Sequence, residues 1–253
     1  MTVKKGYYLY AILAEKEPQN FGPIGIGGKG EKVYTLHYKD LAMAVSKAPV
    51  KTYDPVRKNA MAHQKVISTI MQRYDVLPVS FGTCVDSYEE VMNIFEKLYG
   101  QALSALDKIK NKIEVGLRVF WKKESFIREV GSANREVEAL KEKIAGRDSD
   151  VSSYKQILEL GERLQLIADN KRREYVNLLF EPLCNIASDA KLNDPTSEKM
   201  IINATFLVDK DKEEEFDRAV NKLYNAYCKD LDVKYTGPWP PYSFVGIKIS
   251  RKE

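Results

Sequence analysis

The sequence predicts an α+β protein of two domains. Its 253 residues exceed what a single compact core usually organises. The chain opens with β-forming segments broken by turns before helical periodicity begins. Its second half runs strand, long helical excursion, strand, helix and strands, the outline of an antiparallel sheet with helices on one face. The boundary falls just before "NKIEVGLRVFW", giving domains at 1–110 and 111–253, with a helical insertion over about 123–190.

The elements follow in order. "GYYLYAILAE" is rich in β-formers, and "KVYTLHYKDLAMAVSKAP" reads as two strands joined by a turn at Lys39 and Asp40. Pro55 stands at an expected first helical position. Behind it Ala62, Val66, Ile70 and Arg73 recur at helical spacing, with Met61 and Ile67 widening the apolar face. "DVLPVSFGT" carries Pro78 inside a short apolar run, so an edge or bulged strand is expected, ended by Gly82. Asp86 and Ser87 are caps for a helix that lines up Val91, Ile94, Phe95, Leu98, Ala102, Leu106 and Ile109, with Gly100 as a weak point.

Ile113, Val115, Leu117 and Val119 alternate on one side of the next strand. In the insertion, Val130, Ala133, Val137, Leu140 and Ile144 form a packing seam, and Gly146 ends it. Ile157, Leu160, Leu164 and Ile167 continue on a second helix, folded back as a hairpin, with a break near Phe180 imposed by Pro182. "MIINATFLV" is an inner strand. The following helix buries Phe216, Ala219, Val220, Leu223 and Tyr227 behind an acidic first turn, and "LDVKYT" and "SFVGIKI" are two more strands.

Composition and motifs exclude several functions. Lys and Arg exceed Asp and Glu by only 4 charges, interleaved along the helices, so no nucleic-acid partner is expected. "KRRE" at 171–174 reads as a salt-bridged helix face. No stretch approaches a bilayer span and the N-terminal apolar run is too short for a signal segment, so a cytosolic protein without a lipid membrane partner is expected. Cys84, Cys184 and Cys228 are too few and too scattered for a disulfide framework or a metal knuckle. His37 and His63 lack zinc spacing, and His63 is expected to be a structural or surface histidine rather than a base or ligand. "GIGGKG", Gly25 to Gly30, matches GxGxxG but leads into a β-rich segment rather than a helix. It is read as an inter-strand loop, with a nucleotide-binding enzyme kept as an alternative. No catalytic constellation and no cofactor are expected.

"YTGPWPPYSFV", 235–245, concentrates proline and aromatic residues. Pro238, Pro240 and Pro241 fix φ and impose a rigid extended crossing. Trp239 and Tyr242 then either form a docking surface of low entropy or serve as apolar anchors of a structural corner. The corner is preferred, because strands are expected on both sides.

"TGPWPPYSFV" resembles the C-terminal signature of the gas vesicle protein F/L family. "GYYLYAI", "NAMAHQKV", "VLPVSFGT" and "IEVGLRVFW" are similar to further family segments in the same order, so the resemblance spans nearly the whole chain. Ser80, where a basic residue is common in the family, and Cys84 depart from it. The resemblance implies two domains, the second a modified ferredoxin-like α/β sandwich with extra helices. It also implies a non-enzymatic accessory or minor structural protein of gas vesicle assembly. The implied partners are the small hydrophobic shell protein and other accessory proteins, and the implied location is the cytoplasm before assembly and the vesicle shell after it. A soluble adaptor that leaves the finished vesicle is the alternative. Pro78, Phe81, Gly82, Gly237, Pro238, Trp239, Pro240, Pro241 and Tyr242 are the matched residues, expected to be structural. No catalytic, cofactor or metal residue follows from the resemblance.

Overall fold

The structure, a computed structural model, describes residues 5–27, 30–131, 137 and 151–245. The chain divides into two compact units, Met1–Glu114 with Pro238–Glu253, and Val115–Gly237. The sequence places the proline-rich segment in the C-terminal domain, whereas its backbone groups with the first unit from Pro238 onward.

In the first unit, β1 (Lys5–Leu13), β2 (Asn20–Gly25), β3 (Glu31–Tyr38), β4 (Leu41–Pro49) and β5 (Val76–Pro78) form a sheet of order β2-β3-β4-β1-β5. β6 (Cys84–Val85) also pairs with β1. The two-residue turn expected at Lys39 and Asp40 joins β3 to β4, with Lys39 at φ 54°. β1 lies inside the sheet and is buried on both faces, as its unbroken apolar run requires. A register shift between Leu9 and Ala11 puts Tyr10 and Ala11 on one face, where strict alternation would separate them.

That face, with Tyr8 and Leu13, packs on Val66, Ile67 and Ile70 of α1 (Arg57–Met71). The other face, with Leu9, Ile12 and Met43, packs on Val91, Phe95, Ala102 and Leu106 of α2 (Tyr88–Lys108). The sheet of this unit therefore carries a helix on each face. The reason is that "LYAIL" and "LAMAV" are apolar on both sides. Met61 is corrected: it is 60% exposed, and the inward position on α1 belongs to His63 at 3%.

In the second unit, β7 (Lys112–Trp121) leads into α3 (Lys123–Phe126), a π-turn over Ile127–Gly131, and α4 (Val151–Tyr175). A second π-turn, Val176–Phe180, precedes α5 (Glu181–Cys184), so near Phe180 the helical run continues through a π-turn instead of breaking. β8 (Asp189–Leu192), β9 (Met200–Asp209), α6 (Glu213–Tyr227) and β10 (Leu231–Trp239) follow. The sheet order is β10-β7-β9-β8, that is fourth, first, third, second by occurrence. Phe206 on β9 meets Phe180 and Phe216 with ring centroids 5.3 and 5.1 Å apart, fastening the second π-turn and α6 to the sheet.

Val130 and Val137 of the expected seam are buried, while Ala133, Leu140, Ile144 and Gly146 lie outside the described residues. Ser243 and Phe244 form a turn and Val245 is in no strand, in place of the expected strand, whose residues from 246 onward lie outside the described residues.

Candidate functional site

Three segments far apart in sequence meet inside the first unit. β1 turns Tyr8 toward α1, and the tyrosine hydroxyl accepts the Gly82 N–H at 2.8 Å. It then lies 3.0 Å from His63 Nδ1. Nδ1 is the acceptor within reach of the hydroxyl proton, and the arrangement that satisfies that proton has Tyr8 donating to Nδ1 and the imidazole proton on Nε2. Nε2 is buried without a hydrogen-bond partner among the described residues. Burial pushes His63 down from 6.5 to about 4, with the Val79 backbone pulling weakly the other way without reaching hydrogen-bond geometry to Nε2. Burial likewise raises Tyr8, so both groups are neutral near pH 7.

Around this pair, Phe81 meets the His63 ring edge-on at 5.7 Å, and Tyr53 meets Tyr8 at 5.3 Å. Gly82 holds φ at 84°, which suits glycine in the turn that aims its N–H at Tyr8. Tyr10 extends the hub. Its hydroxyl accepts the Ile26 N–H at 2.8 Å and reaches Ser46 Oγ at 2.9 Å. This bears on the glycine loop: Gly25 ends a strand, a turn follows, and the Ile26 amide is already taken by Tyr10. A phosphate cradle needs such amides free and a helix behind them. Gly28 and Lys29 lie outside the described residues.

The proline-rich segment forms a second arrangement. Gly237 takes φ 132°, and Pro240 and Pro241 are buried. The Tyr242 N–H donates to the Pro240 carbonyl at 2.7 Å and the Phe244 N–H to that of Pro241 at 3.2 Å, making a tight turn. Glu114, only 7% exposed, accepts both the Ser243 N–H and its hydroxyl at 2.7 Å. The Tyr242 hydroxyl reaches Gln64 Oε1 on α1 at 3.5 Å. Trp239 and Tyr242 remain 40% and 39% exposed, so Pro240, Pro241 and Phe244 are the buried part of the segment, and Pro238, Trp239 and Tyr242 its outward part.

The matched residues thus gather at two places. Phe81 and Gly82 join the hub, and Pro78 pairs with Ala11 beside it. Pro240, Pro241 and Tyr242 form the strap that meets α1 one residue from His63. Tyr8, Glu114 and Ser243 were not singled out from sequence. Glu114 sits in an alternating strand where a charge reads as solvent-facing, and only the returning Ser243 shows otherwise. Among the described residues no group of His, Cys, Asp and Glu is arranged to hold a metal ion.

Fold and site together define an α+β protein whose conspicuous motifs fasten distant parts of its own chain. The family model described as gas vesicle synthesis protein GvpL/GvpF matches residues 6–246, and the chain belongs to that family. It is 31% identical over 241 residues to gas vesicle protein F of Streptomyces sp. (strain CB03234), covering 94% of this chain and 98% of that protein. Gas vesicle protein F of Haloferax mediterranei is 26% identical, over 96% of this chain and 94% of its own. The crystal structure of gas vesicle protein GvpF from Microcystis aeruginosa shares the fold with a TM-score of 0.83 at 22% identity, over 97% of this chain and 100% of that one. Membership gives the chain a gas vesicle-related, accessory role. No helix among the described residues is long and apolar enough to cross a membrane.

Proposed function

We propose that the chain is a non-enzymatic assembly factor that covers apolar surface on the small hydrophobic shell protein of the gas vesicle before and during assembly. It acts in the cytoplasm first and at the growing shell afterwards. The observation that carries this is the outer surface of α4. Of its described side chains only Ala168 is buried, while Ile157, Leu158 and Leu166 are 53%, 56% and 59% exposed. A subunit destined for a wall with gas on one side presents apolar surface that aggregates unless covered, and exposed leucine and isoleucine side chains on a helix are suited to cover it. We further assign the second unit as a modified ferredoxin-like domain. Its fourth-first-third-second strand order, with helices in both crossovers, supports that assignment.

The test is co-expression with the small shell protein. The wild-type chain is expected to keep shell protein in the soluble fraction and to co-purify with it. A variant carrying Ile157→Ser, Leu158→Ser and Leu166→Ser, all at exposed positions, is expected to stay folded and lose most of it. A shell protein equally insoluble with and without this chain ends the proposal. Recovery of the chain in washed, floated vesicles then separates a resident component from an adaptor that departs.

A further inference from the structure

A second surface, on the first unit and independent of α4, has a different chemistry. Met61 projects from α1 with 60% of its surface exposed. Its neighbours on that face of the helix, three and four residues away, are Arg57, Lys58, Gln64 and Lys65. The three cations are exposed, and α1 contains no aspartate or glutamate from Arg57 to Met71. Gln64 is also the residue that meets the Tyr242 hydroxyl, so the strap reaches α1 three residues from Met61, and Trp239 precedes Tyr242 by three residues in the chain. The carboxylate acting on Tyr242, Glu114, is buried and already accepts two hydrogen bonds from Ser243.

We infer that Met61, Tyr242 and Trp239 form a docking surface for an acidic amphipathic helix of another protein, one whose apolar stripe is flanked by Asp or Glu. Methionine and aromatic side chains are the types that concentrate binding energy at interfaces. Here the aromatic pair sits on backbone fixed by the buried Pro240 and Pro241, so little conformational freedom is lost when a partner settles on it. The ring of cations without an acid on the helix sets the sign of the partner. This surface also explains why Met61, apolar and on the helix that builds the core, faces outward.

The chain carries its own reporter. Of its two tryptophans, Trp121 is 3% exposed and Trp239 is 40% exposed, so a change in emission on binding reads Trp239. The probe is a synthetic helical peptide with a leucine stripe flanked by glutamates, titrated into the full chain at low ionic strength. The control peptide replaces the glutamates with lysines, and vesicles of phosphatidylglycerol and phosphatidylcholine are titrated in parallel.

The acidic peptide is expected to shift the Trp239 emission. Its affinity is expected to fall about tenfold or more with Lys58→Glu combined with Lys65→Glu, to fall likewise with Met61→Ser, and to weaken as salt is added. Circular dichroism checks that these exposed-site variants remain folded. Absence of an emission change, equal binding of the lysine-flanked peptide, or undiminished binding by both variants overturns the inference. So does a response to the anionic vesicles without one to the peptide, which makes the surface lipid-binding. Retention of the shell protein by the Lys58→Glu and Lys65→Glu variant leaves the function proposed for α4 standing, whichever way the titration falls.

Discussion

His63 makes acid stability a direct probe of the buried hub. Its imidazole is held neutral by burial down to about pH 4, against an ordinary value of 6.5. Between those values the unfolded chain binds a proton that the folded chain refuses, so stability falls as the pH falls. At about 1.4 kcal/mol per pH unit, that interval amounts to about 3 kcal/mol from one side chain. Above 6.5 and below about 4 the contribution is flat. The perturbation is His63→Asn, which keeps an acceptor for the Tyr8 hydroxyl but has no proton to take up. At neutral pH the variant is less stable, since the ring contacts with Tyr8, Tyr10 and Phe81 are lost. Urea unfolding followed by circular dichroism is measured for both proteins from about pH 7 to about pH 4. Asp40 and Asp230, which Lys16 and Arg128 hold below the ordinary 3.8, lose their stabilisation mainly below that value, under the measured range, and equally in both proteins. The stability gap between wild type and variant is therefore expected to close by about 3 kcal/mol on acidification. A gap that stays constant with pH refutes the neutral, buried imidazole.

Three further variants test the strap, the hub and the backbone of α4. Ser243→Ala removes the hydroxyl bond to the buried Glu114 carboxylate while leaving the backbone N–H in place. About 1.5–3 kcal/mol of stability is expected to go with it, read as a lower melting temperature, and an unchanged melting temperature contradicts the clamp. Gly82→Ala introduces a methyl with no atom within 4 Å, so its expected penalty of about 1–2 kcal/mol comes from the positive φ alone. Gly161→Ala, on the exposed side of α4 and equally unobstructed, is expected to raise stability by about 0.5–1 kcal/mol. Shifts of the same sign for both glycine variants contradict the backbone argument.

Elements with strong local signals were legible in the sequence, and elements made by their neighbours were not. The β3–β4 hairpin declares itself through two β-rich runs around a two-residue turn, and α2 through its apolar period and a cap, Ser87, that accepts the Glu90 N–H at 3.3 Å. β8 falls where the sequence predicts the end of the helical insertion. Its four residues, "DAKL", lack alternation, and only the pairing of Asp189–Leu192 with β9 makes them a strand. β2 contains Gly22 and Pro23, which read as loop, yet it pairs at the sheet edge, where proline is tolerated. On α1 a hydrophobicity rule puts Met61 in and His63 out, and the structure does the reverse. A histidine is admitted to the core there because the Tyr8 hydroxyl satisfies Nδ1 and burial keeps the ring neutral, and no sequence window contains both residues.

The stretch "AMAHQKV" therefore serves three directions at once. His63 points inward to the hub, Gln64 sideways to the strap, and Met61 outward between Lys58 and Lys65. On a helix His63 lies on the side away from Met61 while Gln64 flanks Met61, so one short segment can hold the fold and present a surface without either task constraining the other. The separation has an experimental consequence. Substitutions at His63 move stability and its pH dependence, while substitutions at Met61 or its flanking lysines leave stability nearly unchanged and move binding. Gln64 lies between the two classes: removing its contact with Tyr242 loosens the strap that carries Trp239 and Tyr242. A Gln64 variant should thus weaken binding through the disposition of the aromatic pair, with the hub and its acid response intact.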